Sequence, residues 1–315
     1  MDGKMKRFLI LLVSVFMMLQ GNRLLAESNG GYAGAFMRLG LGARHLALGN
    51  SSVAAPVDAF SFYYNPALSA FHEKRMFTLS HRFMSLDRRF DFIGFASKIP
   101  PGAGFSLGWI HSGVGDIQGY NMIGEQTGTI DHNLNAIYFN FARVFAGKFA
   151  VGLTIKHMRE DLNFGADSYN ASGWGWDFGA AYRFNQKLTV AASLRDVGSK
   201  LTANTEKLFE FGGTTVFTFP KIWSVGATYL TPLPWLRVNY AFVGTEHENG
   251  QHLGLEATYR NILALRFGYN KDQLTFGAGM GFKLWKFFTT LDYAFVPSVV
   301  DEGASHVFSW QFYLN

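Results

Sequence analysis

The chain has 315 residues, of which 16% are charged and 17% aromatic, with 35 glycines, 8 prolines and no cysteine. A soluble domain carries about a quarter charged residues, so a water-facing surface of this size is short of charge. The lack of cysteine excludes a disulfide framework, a thiolate metal site and a lipid anchor on an N-terminal cysteine. The formal charge of +5 sits mostly at the start, where Lys4, Lys6, Arg7 and Arg23 against Asp2 supply three of those charges. No basic patch interleaved with aromatics remains to suggest nucleic acid as a partner.

In chain order, residues 1–26 read as a secretory signal. Lys4, Lys6 and Arg7 form the positive region, 8–19 the apolar stretch, and Ala26 offers a cleavage site before Glu27. That apolar stretch is too short for a spanning helix, which needs about twenty residues, and no later segment is longer. An exported chain of this kind meets a membrane only through strands.

Residues 27–75 lack strand alternation. The run from Gly42 to Ala54 predicts a short helical turn that stops near Gly49 and Asn50, and Asp58 is placed to cap a second one ending at Tyr64. Pro66 pushes Asn65 out of helical geometry. A segment with Phe60, Phe62, Tyr63 and Tyr64 cannot lie bare in water, which predicts a plug folded into something wide enough to hold it.

From 76 to 315 the chain alternates. Trp174, Trp176, Phe178, Tyr182 and Phe184 fall on one face of an extended segment, and Gly173, Gly175, Asp177, Gly179 and Arg183 on the other. Aromatics opposite small residues and isolated charges are what lipid outside and a polar interior require. Roughly fourteen strands are predicted, over 76–84, 89–99, 103–111, 132–145, 148–161, 172–184, 187–197, 221–230, 235–244, 251–260, 262–270, 273–285, 287–296 and 304–314. Short connections alternate with longer ones at 112–131, 162–171, 198–220, 245–250 and 297–303; Lys271-Asp272 is the exception, a short connection where a long one is due. The fold class is therefore all-β, a transmembrane up-and-down antiparallel barrel, with both termini at the short-turn, periplasmic end of an outer-membrane protein. Rings beside the short turns (Phe145, Phe149, Tyr182, Tyr229, Trp235, Trp285) and toward the long ones (Trp109, Trp174, Trp223, Phe242) form two girdles.

With lipid on the aromatic face, the lumen holds Lys156, Asp177, Arg183, Arg195, Arg237, Glu256, Arg260, Arg266, Lys283 and Asp292. Each would cost roughly 2–4 kcal/mol facing lipid near the midplane, so they are expected to pair inside as cross-links. Gly277, Gly279 and Gly281 line one inward face and leave room for something to pass or to pack.

Leu39-Gly40-Leu41-Gly42-Ala43-Arg44, Ala47-Leu48-Gly49, Asp58 and Asn65-Pro66-Ala67-Leu68 together resemble the N-terminal signature of the PorV/PorQ family, related to the FadL-like transporters of the Gram-negative outer membrane. Gly152–Lys156 and Leu291–Val296 are similar to that family's later strands. Asn50-Ser51 and Leu68 depart from its pattern, and the last strand ends Tyr313-Leu314-Asn315 without the terminal aromatic of an assembly signal. The resemblance implies a fourteen-stranded barrel with an N-terminal hatch spanning 27–75, and a barrel spanning 76–315. It makes Gly42, Arg44, Gly49, Asp58, Asn65, Pro66 and Ala67 the residues that fix the hatch against the wall. It implies passive transport of hydrophobic molecules or, as the alternative, protein contacts within a type IX secretion and attachment system. The implied partners are outer-membrane lipid, a fatty or other hydrophobic molecule, secretion proteins, and the assembly machinery through the C-terminal strand.

No catalytic set emerges. His111-Ser112 and Asp131-His132 are adjacent in sequence, so as strand residues they point to opposite faces. The other histidines lack metal-ligand spacing, and Gly113 to Gly119 lacks the lysine and helix of a phosphate loop. The expectation is no enzyme, no cofactor and no metal.

Overall fold

A computed structural model describes residues 31–55, 58–164, 167–206, 211–260, 262–271, 273–298 and 303–314. The predicted signal, together with Leu208 and Phe209 of the 198–220 connection, lies outside the described residues. Sixteen strands follow the N-terminal segment: β1 (Arg75–Phe83), β2 (Arg88–Ile99), β3 (Ala103–Tyr120), β4 (Gln126–Phe145), β5 (Phe149–Phe164), β6 (Asp167–Arg183), β7 (Leu188–Val197), β8 (Lys200–Asn204), β9 (Thr214–Thr218), β10 (Ile222–Leu230), β11 (Leu236–Gly244), β12 (Asn249–Tyr259), β13 (Leu263–Asn270), β14 (Gln273–Leu284), β15 (Phe287–Pro297) and β16 (Ala304–Leu314). Consecutive strands pair antiparallel from β1 to β7 and from β10 to β16, β7 pairs with β10, β8 pairs with β6 and β9, and β1 closes on β16 from Arg75 opposite Leu314 to Phe83 opposite His306. The result is a closed fourteen-strand barrel, with β8 and β9 forming an extra hairpin. No helix among the described residues is long and apolar enough to cross a membrane.

Side-chain alternation decides the faces. On β6, Trp174, Trp176, Phe178 and Tyr182 stand exposed on the outside while Asp177 and Ala181 are buried inside. The same holds on β3, where Leu107 and Trp109 face out and Ser106 and Ile110 face in. The short turns end strands where left-handed backbone is reached: Ala146 and Gly147, at φ 48° and 67°, make the turn from β4 to β5, which Lys148 N–H closes on the Phe145 carbonyl at 3.1 Å.

Two expected connections are strand instead. Most of 112–131 continues β3 and β4, closing only at Asn121 to Glu125, where Asn121 N–H donates to the Glu125 carbonyl at 2.9 Å. Most of 162–171 likewise extends β5 and β6. Outside lipid the outward positions turn polar, so hydrophobic alternation fades although the backbone ladder continues. The barrel is therefore tall on one side: β4 has 20 residues, β10 has 9 and β13 has 8.

Residues 31–55 and 58–72 pack inside the ring of wall strands. They form short turns of helix at Ala35–Arg38, Ala43–Ala47, Ser52–Ala54, Ser61–Tyr64 and Pro66–Phe71. Phe36, Met37, Leu41, Phe60, Phe62, Tyr63 and Tyr64 make one core with Phe90 and Phe92 of β2, Ile110 of β3 and Tyr138 of β4. The β8–β9 hairpin joins that core through Leu201 and Ala203, as does Phe219 just after it.

Candidate functional site: the lumenal segment and its anchors

Asn65 holds one side of the segment. Its backbone is extended, at φ −154° and ψ 113°, because Pro66 follows it. Its side-chain carbonyl accepts the Ala67 N–H at 2.9 Å and so caps the turn Pro66–Phe71. Its amide nitrogen lies 3.1 Å from the Val53 carbonyl, 3.2 Å from that of Ala180 on β6 and 3.1 Å from that of Ala192 on β7. A fully buried amide thus ties the segment to itself and to two wall strands. Ser193 Oγ donates to the Tyr64 carbonyl at 3.0 Å, and Asn140 Nδ2 to that of Pro66 at 3.2 Å.

Inward glycines make room for this contact. A Cβ on Gly179 would fall 2.1 Å from Asn65 Oδ1, one on Gly152 2.4 Å from Pro66, and one on Gly104 1.8 Å from the Ser69 carbonyl. The same footprint continues across the barrel. A Cβ on Gly268 would reach the Gly49 nitrogen at 2.1 Å, and one on Gly277 would reach Ala47 Cβ at 2.4 Å. Gly277 therefore makes room for packing against the segment, whereas Gly279 faces Asp292 and Arg266. Gly49, at φ 64°, presses against the Tyr269 backbone, and Gly42, at φ 78°, against the Phe60 ring.

The opposite side is ionic. Arg44 grips Glu256 of β12 with two bonds, Nε at 2.8 Å and a terminal nitrogen at 2.7 Å. Arg237 of β11 reaches the same carboxylate at 2.9 Å and Arg266 of β13 at 2.7 Å. Arg266 continues to Asp292 of β15 at 2.7 Å, and Arg44 to Asp58 at 3.7 Å. Three guanidinium groups and three carboxylates balance, which buried charge requires. Asp58 is itself a junction: it accepts from the Phe60 N–H at 3.0 Å and lies 2.9 Å from His45 Nε2. Burial alone would raise its carboxyl, but His45 and Arg44 outweigh that and hold it down at about 2.

A second buried set lies on β5 to β7. Lys156 Nζ lies 2.7 Å from Asp177 and 2.6 Å from Asp196. Asp196 reaches it because β7 bulges there: the register slips between Trp176 and Phe178, and Asp196 takes φ 61°. Arg195 stacks over the Tyr63 ring at 5.2 Å.

Of the lumen residues expected to pair, Lys156, Asp177, Arg237, Glu256, Arg266 and Asp292 do so. Arg183 instead stacks over Phe71 at 4.1 Å, and Arg195 over Tyr63. Arg260 sits exposed in a turn over Tyr259 at 5.2 Å, and Lys283 is exposed at the same rim. Neither forms an ion pair among the described residues, because both lie where strands meet water. Sequence reasoning missed His45, Asn140, Ser193, Asp196 and His252, whose Nδ1 lies 2.7 Å from the Gly49 carbonyl. Inward parity on their strands was the available signal for Asn140, Ser193 and His252. A bulge hid Asp196. His111 and Ser112 point to opposite faces, His111 toward Asn135 at 3.1 Å.

Two cavities border the segment. One, of about 190 Å³ toward the longer connections, is lined by Tyr63, Tyr64, Val53, Ile222 and Val243 with Arg38, Arg195 and Lys271. The other, of about 670 Å³ at the short-turn end, is lined by Ala54, Ala55, Leu68, Phe71, Met76, Leu230, Phe288 and Tyr313, with the charged Glu73, Lys74, Arg183, Lys187 and Arg237.

This construction is that of a transmembrane antiparallel β-barrel with a filled lumen. A family described as being of unknown function (DUF5723) matches residues 118–222, a third of the chain. No curated protein sequence matches. Among solved structures, the fold is similar to a deletion mutant of the TodX monoaromatic hydrocarbon channel at 14% identity and TM-score 0.63, covering 88% of this chain and 99% of that one. It is similar to the Pseudomonas putida toluene transporter TodX at 14% and 0.59, over 87% and 96%. A Pseudomonas aeruginosa FadL homologue gives 12% and 0.57, over 86% and 96%. At these identities the likeness is one of fold.

Proposed function

We propose that the protein is an outer-membrane channel for the passive passage of hydrophobic molecules, with residues 27–75 as its plug and both termini in the periplasm. The single observation that carries this reading is the meeting of the two cavities at one short turn. Val53 lines the first cavity, and Ala54 and Ala55 line the second. That turn, Ser52–Ala54, is held by the Asn65 amide on the Val53 carbonyl and by close packing of Val53 on Gly226. A shift of one turn would join two spaces whose walls mix aromatic and aliphatic side chains with charged and polar ones. The fold shared with proteins described as hydrocarbon and toluene transporters supports the same reading.

The PorV/PorQ signature residues fit this role as anchors. Arg44, Asp58 and Asn65 make the segment's bonds, while Gly42 and Gly49 give it its turns and close approaches. The test is entry of toluene and, separately, of a fatty acid into liposomes carrying the purified protein. We expect entry above that of empty liposomes, and faster entry through Asn65→Ala, whose freed turn opens more often. Rates equal to empty liposomes for both proteins and both probes would sink the transport reading. A protein held stoichiometrically through mild detergent extraction would favour the secretion alternative.

A further inference from the structure

The tall side of the barrel has an outward face whose chemistry changes at one level. Across β3, β4, β5 and β6 the register aligns Trp109, Ile137, His157 and Trp174 in one row. Trp109 and Trp174 are exposed, and Trp174 packs on the His157 ring at 4.7 Å. The next outward row is His111, Asn135 and Arg159; the one after is Asn133, Asp161 and Asn170; then come Asn163 and Ser168. Large apolar side chains give way to polar ones, with amides on β4, β5 and β6 and His111 on β3. Such a step marks the end of the hydrocarbon layer, because rings with polar edges sit at the membrane–water boundary.

Beyond that step the face carries a shallow, open groove of about 560 Å³ running from Trp109 to Asn170. The Asn135 carbonyl accepts from Trp109 Nε1 at 3.1 Å, which leaves its amide hydrogens to the groove. Arg159 bonds Asp161 through Nε and one terminal nitrogen, leaving the other free to donate.

We infer that this groove binds the sugar-phosphate headgroup of an outer-leaflet glycolipid. Planar amides give paired donors and acceptors for vicinal hydroxyls, the exposed edge of Trp109 offers an apolar face for a sugar ring, and Arg159 suits a phosphate. A glycolipid whose chains pack on the ring row presents its headgroup at the level of the amide rows, so position and chemistry select the same occupant. The inference rests on the outer-membrane reading above.

The test reconstitutes the full-length protein in phosphatidylethanolamine vesicles with and without rough lipopolysaccharide, extracts it in mild detergent and measures glycolipid per barrel by mass spectrometry. Wild type should retain at least one glycolipid, as should Arg143→Ala at the other end of β4. The triple variant N133A/N135A/N163A should retain roughly tenfold less, with heat-resistant gel mobility showing an intact barrel. Equal retention by the triple variant, or insertion of wild type without retained glycolipid, overturns the inference alone. Failure of wild type to insert into either bilayer overturns the membrane reading and the inference with it.

Discussion

The lumenal segment is held at two places by opposite means. On β6 and β7 the anchor is one neutral amide, set in a cradle of glycines whose absent side chains allow backbone to approach backbone. On β11 to β15 the anchor is a balanced set of charges centred on Glu256, which is wholly buried. The neutral anchor depends on shape and tolerates salt and pH. The ionic one depends on every partner staying charged, since an unpaired buried charge costs several kcal/mol. The amide anchor sits against the turn between the cavities, and the ionic anchor holds the rest of the segment still. The proposed opening by movement of one turn would need that division of labour.

The largest expected effect breaks the ionic side. Glu256→Gln leaves three arginines around a neutral amide and should lower stability by about 3–5 kcal/mol, read as a fall in the urea midpoint of the lipid-reconstituted protein. Asn65→Ala should leave that midpoint much nearer wild type, and an equal loss in both variants would show that the two anchors do not differ in this way.

Acid sharpens the comparison next. Asp58 titrates at about 2 in the fold and near 3.9 when unfolded. Its contribution of about 2–3 kcal/mol is present above pH 4 and is lost as pH falls from about 4 through 2. Asp58→Asn should make the loss over that window smaller, whereas Asn65→Ala should keep the wild-type slope. A wild-type profile in the Asp58 variant would remove it from the ionic anchor.

Crowding the neutral side comes third. Gly179→Val places carbon against Asn65 and should cost about 1–3 kcal/mol. The segment should then become open to protease while the barrel keeps its heat-resistant mobility; an unchanged protease pattern would show that the cradle is not needed. The smallest effect is expected from Arg260→Ala, which lies exposed in a turn outside both anchors. It should shift stability by no more than about 0.5 kcal/mol, and a larger loss would place it in the ionic network after all.

Strand alternation carries a two-residue period that survives in the sequence, because lipid on one side and packed lumen on the other select opposite residue types at every step. From it followed the barrel, the fourteen wall strands, and the inward set that includes Lys156, Asp177, Glu256, Arg266 and Asp292. The helical turns around Gly42 and before Asn65 were legible for a local reason: glycine takes backbone angles that other residues avoid, and proline fixes its own and constrains the residue before it. The heights of β3 to β6 were not legible, since strands in water lose the apolar half of the signal. Nor was Asp196, because a bulge shifts parity without leaving a mark in composition. Only the tertiary structure decided which charges meet and which glycines face the segment. Those facts depend on barrel register, which brings Arg44 to Glu256 and Asn65 to Ala180 across long stretches of chain that share no local pattern.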